Sequence, residues 1–82
     1  MALTPEQRAA IKLEYAKKAL KAMHGYYSEY AALPSYAEIT ERMGFSAKSW
    51  AYECVRRLVE TGHVMRLPSG RLAPGDRFFD GL

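Results

Sequence analysis

Between Pro34 and Gly62 the chain is punctuated so closely that little freedom is left to its local structure. Ser35-Tyr36-Ala37-Glu38 has the capping-box spacing, in which a serine and the glutamate three residues on satisfy each other's free backbone donors. Leu33-Pro34 immediately before it ends whatever helix precedes. Gly44 can take the left-handed conformation that closes a helix, so the segment from Ser35 reads as a helix of about two turns that buries Ile39 and Met43. Phe45 then forms a turn and Ser46 stands where it can cap a third helix. Ala51, Val55 and Leu58 give that helix, about Ala47 to Thr61, an inward face until Gly62 stops it.

The flanks complete a pattern. Thr4-Pro5-Glu6 is a helix start: a capping hydroxyl, a proline whose missing N–H costs nothing there, and an acid in the positive first turn. Leu13, Ala16, Leu20, Met23, Tyr27 and Tyr30 recur at spacings of three and four and share one face. One long helix over 5–31 is expected, although Gly25 costs it about 1 kcal/mol relative to alanine. After Gly62, His63 to Leu67 reads as a strand, Pro68-Ser69-Gly70 as a turn and Arg71 to Ala73 as the returning strand. Pro74-Gly75-Asp76 breaks the hairpin, and Phe78 and Phe79 in the tail, 74–82, are expected to fold back on apolar surface. The 82 residues suffice for one core, so 1–82 reads as a single, mainly α domain. Three helices followed by a C-terminal two-stranded β-wing is the winged helix-turn-helix plan, here with the helix-turn-helix at 35–61 and the wing at 63–73.

Composition narrows the function classes. No apolar run approaches the roughly 18 residues of a membrane span, and Met1 to Arg8 lacks the basic and apolar regions of an export signal. A cytoplasmic, nucleoid-associated protein with no membrane partner is expected. Cys54 is the only cysteine, and with His24 and His63 it makes too few ligands for a metal site. Ser35, Ser46 and Ser49 are each accounted for by caps and the turn, and neither histidine has a carboxylate at an orienting spacing. The chain therefore reads as neither an enzyme nor a cofactor carrier. Charge is more informative. Residues 1–41 balance five basic against five acidic side chains, whereas residues 42–82 hold seven basic against four acidic and so carry the whole net charge of +3. Six of those seven are arginine, the side chain best shaped for phosphates and base edges.

Pro34, Glu38, Ile39, Arg42, Gly44 and Phe45, then Val55, Leu58, Gly62 and Val64, fall without a gap at the spacing of a known family. This stretch resembles the N-terminal winged-helix DNA-binding domain of LexA, the bacterial SOS repressor. The resemblance implies a sequence-specific regulator of transcription on double-stranded DNA, a repressor of bacterial, phage or plasmid origin. It also implies that Ser49, Trp50, Tyr52 and Glu53 occupy base-reading positions. Only Glu53 looks like the family's usual residue, so the operator is expected to differ from the SOS box. The family's self-cleaving second domain has no counterpart in these residues, and the first helix is longer than the family's fold requires.

Read from the residues themselves, the side of the third helix opposite Ala51, Val55 and Leu58 presents Lys48, Ser49, Tyr52, Glu53 and Arg56. Glu53 suits a cytosine amine; Lys48 and Arg56 suit phosphates or guanine, Arg57 adds affinity, and Ser46 at the helix start is expected among the DNA contacts. The plainer alternative is a solvated face with weak pairs among Lys48, Glu53 and Arg57. Trp50 has three places open to it: on DNA, in the core beside Cys54, or against a protein partner. Arg66 and Arg71 flank the wing turn and are within reach of a minor groove or its phosphates. On the first helix, Ile11, Tyr15, Ala22 and Tyr26 form a second apolar stripe about 120° from the main one. It reads either as a homodimer interface, serving two half-sites, or as a broad buried face beneath the wing or the tail phenylalanines. The rival reading of the whole chain is a module that binds and inhibits a host protein complex, anchored by Trp50, Tyr52, Tyr26 and Tyr15.

Overall fold

Three helices and a two-stranded antiparallel sheet follow one another in the computed structural model, which describes residues 2–82. They are α1 (Pro5–Tyr30), α2 (Tyr36–Met43), α3 (Lys48–Glu60), β1 (Val64–Arg66) and β2 (Leu72–Pro74). α1 starts at Pro5 because Thr4 caps it. The Thr4 hydroxyl accepts from the Gln7 amide at 3.1 Å, and Gln7 Oε1 accepts from the Thr4 amide at 2.9 Å. α1 ends at Tyr30, one residue short of the expected limit, because Ala31 turns into the left-handed region at φ 55° and donates to Tyr27 O. At about 1.5 Å per residue the helix is about 39 Å long, and it sets the 42 Å long axis of the molecule. Both ends therefore overshoot the body. Residues 2–12 are exposed, and so is Tyr30, which the apolar stripe had placed inward.

α2 has the expected reciprocal cap, Glu38 N to Ser35 Oγ at 3.2 Å and Ser35 N to Glu38 Oε1 at 3.1 Å, and closes at Gly44 with φ 69°. The start of α3 differs from expectation. Residues 45–47 are all used in the turn, so the capping position falls on Ala47, which has no side-chain acceptor, and Ser46 lies outside it. Helix α3 packs on α1 and α2 through Ala51, Cys54, Val55 and Leu58, against Ala16, Ala19, Leu20 and Met23 of α1 and Ile39 of α2. The alanines keep the α1–α3 crossing close. Met43 is only partly buried at its edge.

The strands pair Val64 with Pro74, Met65 with Ala73 and Arg66 with Leu72, so the returning strand runs one residue later than expected. Val64 and Leu72 extend the core, and Phe78 closes it. Phe79 folds back on the same residues but stays outside the core: its exposed ring stacks on His24 at 5.5 Å and meets Phe78 edge-on at 5.0 Å. The tail is held close. Gly75 donates to His63 O at 3.0 Å, and a Cβ on Gly75 would lie 2.3 Å from Gly62 O. Both histidines grip the tail through their Nε2 atoms, His24 on the Phe78 carbonyl and the buried His63 on the Gly81 carbonyl at 3.2 Å. Among the described residues no helix is long and apolar enough to cross a membrane.

Candidate nucleic-acid interface

Helical geometry sorts the exposed residues of α3 into three strips. With Ala51, Cys54, Val55 and Leu58 inward and about 100° between successive residues, Ser49, Glu53, Arg56 and Glu60 look straight out. Lys48 and Tyr52 lie on the flank toward α2 and the hairpin, and Trp50 and Arg57 on the flank toward α1. The residues expected to act together are thus divided, and each strip has its own chemistry.

The outward strip is largely committed to itself. Arg56 Nη2 donates to Glu53 Oε2 at 2.9 Å, and Arg56 Nη1 lies 3.9 Å from Glu60 Oε1. The hydrogen bond from Arg56, reinforced by its charge, holds the Glu53 carboxyl below the usual carboxylate range and raises the guanidinium in turn. One arginine between two glutamates leaves this strip with a net charge of −1. Because all three groups are exposed, the pairing is screened and a stronger partner can break it.

The hairpin-side flank is different. Half-exposed Tyr52 stacks on Tyr36 of α2 with ring centroids 4.2 Å apart and planes 26° from parallel, and the Tyr36 hydroxyl accepts from Arg66 Nε at 3.2 Å. Arg66 of β1, Tyr36 of α2 and Tyr52 of α3 therefore form one continuous ledge, which settles the direction Arg66 takes. Lys48 and Ser49 lie exposed at its end, at a helix N-terminus that has no side-chain cap. Free amides at a helix start attract anions. Arg71 is exposed near the hairpin tip and lines a groove with Tyr26, Ser35, Tyr36 and Glu38. Tyr36 was not singled out from sequence, since its place next to a capping serine gives no hint of a partner sixteen residues on.

On the α1-side flank, Trp50 is neither in the core nor free. It meets Tyr15 edge-on at 5.8 Å, Tyr15 meets Phe45 at 5.7 Å, and the indole remains 41% exposed. Arg57 is partly buried beside Lys12 in the adjoining groove. The same contacts correct the reading of the Ile11, Tyr15, Ala22 and Tyr26 stripe as lacking a partner within the chain. Tyr15 is covered by Phe45 and Trp50. Tyr26 donates to Glu38 Oε2 at 2.7 Å and lies under the Arg42 guanidinium at 4.9 Å, and Ala22 is partly buried. The covering elements are α2, the turn after it and the first turn of α3, not the hairpin or the tail. Only Ile11 stands exposed.

No group of three or more metal-ligating side chains occurs among the described residues. No protein-family model, curated protein or solved structure matches this chain.

Proposed function

We propose that the chain is a winged-helix protein that binds specific sequences in double-stranded DNA and regulates transcription, with repression as its output. The observation that carries the reading is the ledge Arg66–Tyr36–Tyr52 running into Lys48, Ser49 and the uncapped start of α3. It sets a basic hairpin beside the N-terminal half of an exposed helix, the half that reaches base edges in helix-turn-helix proteins. In this reading β1 and β2 are the wing. Lys48, Arg57, Arg66 and Arg71 neutralise phosphates, while Ser49, Tyr52 and the Glu53–Arg56 pair face the bases. That pair is suited to a G·C step, arginine on guanine O6 and N7 and glutamate on the cytosine amine. A bacterial, phage or plasmid source and a place on the nucleoid belong to the same reading and rest on the LexA-like spacing from Leu33 to Val64. With Tyr15 and Tyr26 used inside the molecule, any pairing of copies is set by the spacing of half-sites on DNA rather than by α1.

Selection of bound sequences from random duplex DNA, followed by titration in rising salt, tests the proposal. The expected outcome is an enriched motif with a G·C step, and a slope of log K against log salt of about −4 to −5, as for four to six neutralised phosphates. No enrichment, or a slope near zero, overturns it.

A further inference from the structure

Three large apolar side chains stand exposed around one notch on the α1 side of the molecule: Leu3 at 45%, Ile11 at 38% and Trp50 at 41%. Isolated exposed hydrophobics are ordinary, but apolar groups gathered in a concavity and rimmed by charge mark a contact site. The rim here is Arg8 and Lys12. The ion pairs among the described residues are Glu14–Lys17, Glu53–Arg56, Arg56–Glu60 and Arg77–Asp80, so neither rim cation has an acid of its own. Glu53, which lines the adjoining groove with Lys12 and Trp50, is hydrogen-bonded to Arg56, and Lys12 acts on its carboxylate only through space.

From this arrangement we propose that the notch docks an acidic, amphipathic segment of a partner protein: leucine-type side chains at helical spacing seat against Leu3, Ile11 and Trp50, and flanking Asp or Glu side chains meet Arg8 and Lys12. The anchor is prepared in advance. Tyr15 and Phe45 fix the indole from behind, so little side-chain freedom is lost on binding.

A phosphodiester backbone is a poorer occupant, since it has nothing to place against an apolar trio. Trp50 also lies about 160° around α3 from Tyr52, so a duplex resting on the ledge is not seated on the apolar trio. A second copy of the chain fits poorly too. Arg8 and Lys12 stand about 60° and 100° around the helix on the same side of Ile11, and an antiparallel two-fold pairing there would set these cations against their own equivalents. The site is therefore separate from the DNA reading and survives or fails without it.

Trp50 is the only tryptophan, so its emission reports on the notch without a label. The probe is a synthetic helical peptide with leucines at i, i+3, i+4 and i+7 and glutamate between them, and the control carries lysine in place of every glutamate. The expected result is a saturable blue shift with the glutamate peptide and at least about tenfold weaker binding of the lysine peptide. Combining Arg8→Glu with Lys12→Glu, at exposed positions where the fold is checked by circular dichroism, should reverse that preference. No saturable shift, equal binding of both peptides, or an unchanged preference in the charge-reversed variant overturns the proposal. So does displacement of the peptide by duplex DNA, or self-association that Ile11→Asp abolishes, because either would give the notch to another occupant.

Discussion

Glu38 makes three contacts, two through its carboxylate and one through its backbone amide. It accepts from the Ser35 amide to cap α2, accepts from the Tyr26 hydroxyl to tie α2 to α1, and its own amide returns the cap to Ser35. The Tyr26 hydrogen bond, followed by the bonds from Ser35, holds its carboxyl below the ordinary value of 4.5, and the same bond raises the Tyr26 phenol above 10.0. A depressed carboxyl stabilises the fold above its unfolded value and loses that contribution as pH falls through the folded value. A raised phenol stabilises the fold below about 10 and loses its contribution as pH climbs past the folded value. The melting temperature should accordingly be flat across neutral pH and fall at both ends. Glu38→Gln should lower the plateau and flatten the acid limb; an acid limb unchanged in the variant would count against the linkage. The DNA reading makes its own residue-scale demand. Glu53→Ala should relax preference at one base position, with about 1–3 kcal/mol of discrimination lost, whereas Arg71→Ala should weaken all sequences alike. An identical selected motif in Glu53→Ala would contradict the assignment.

At the scale of elements, the caps explain which parts of the fold were legible in the sequence. Thr4, the Ser35–Glu38 pair and Gly44 act within three or four residues of themselves, so local rules located α1 and α2 to within a residue. The same rules missed the cap of α3 because turn length, which tertiary packing decides, moved the helix start from Ser46's reach to Ala47's. Ser35→Ala should cost about 1 kcal/mol and Ser46→Ala close to nothing in chemical denaturation. Equal costs would show that Ser46 caps after all. Contacts between elements were the illegible part. The stripe on Tyr15 and Tyr26 was visible as apolar, but periodicity cannot say whether α2, the hairpin or another chain covers it. The ledge from Arg66 to Tyr52 depends on a residue thirty positions from its hydrogen-bond partner. Gly25 offers a cleaner test of helix propensity. A Cβ there meets nothing within 4 Å, so Gly25→Ala should stabilise the protein by about 1 kcal/mol, seen as a rise of roughly 4–8 °C in melting temperature.

Taken whole, the molecule is a long helix with a small body around its middle, and the body's last wall is the tail. Because Tyr15 and Tyr26 of the second stripe are engaged by α2, the turn after it and Trp50 of α3, the free protein should sediment as a monomer at tens of micromolar, with dimer mass at that concentration the contrary result. Phe78→Ala should cost about 3–5 kcal/mol, a large share of what a domain of this size holds in reserve. The histidine that meets the Phe78 carbonyl is His24, fifty-four residues earlier. On a translating ribosome this separation has a consequence of timing. α1, α2 and α3 can coil and begin to pack as they emerge, but the part of the core beside His24 and Tyr27 stays open until Phe78 has been made and has cleared the exit. The native core is therefore completed only once the chain has been made through Phe78.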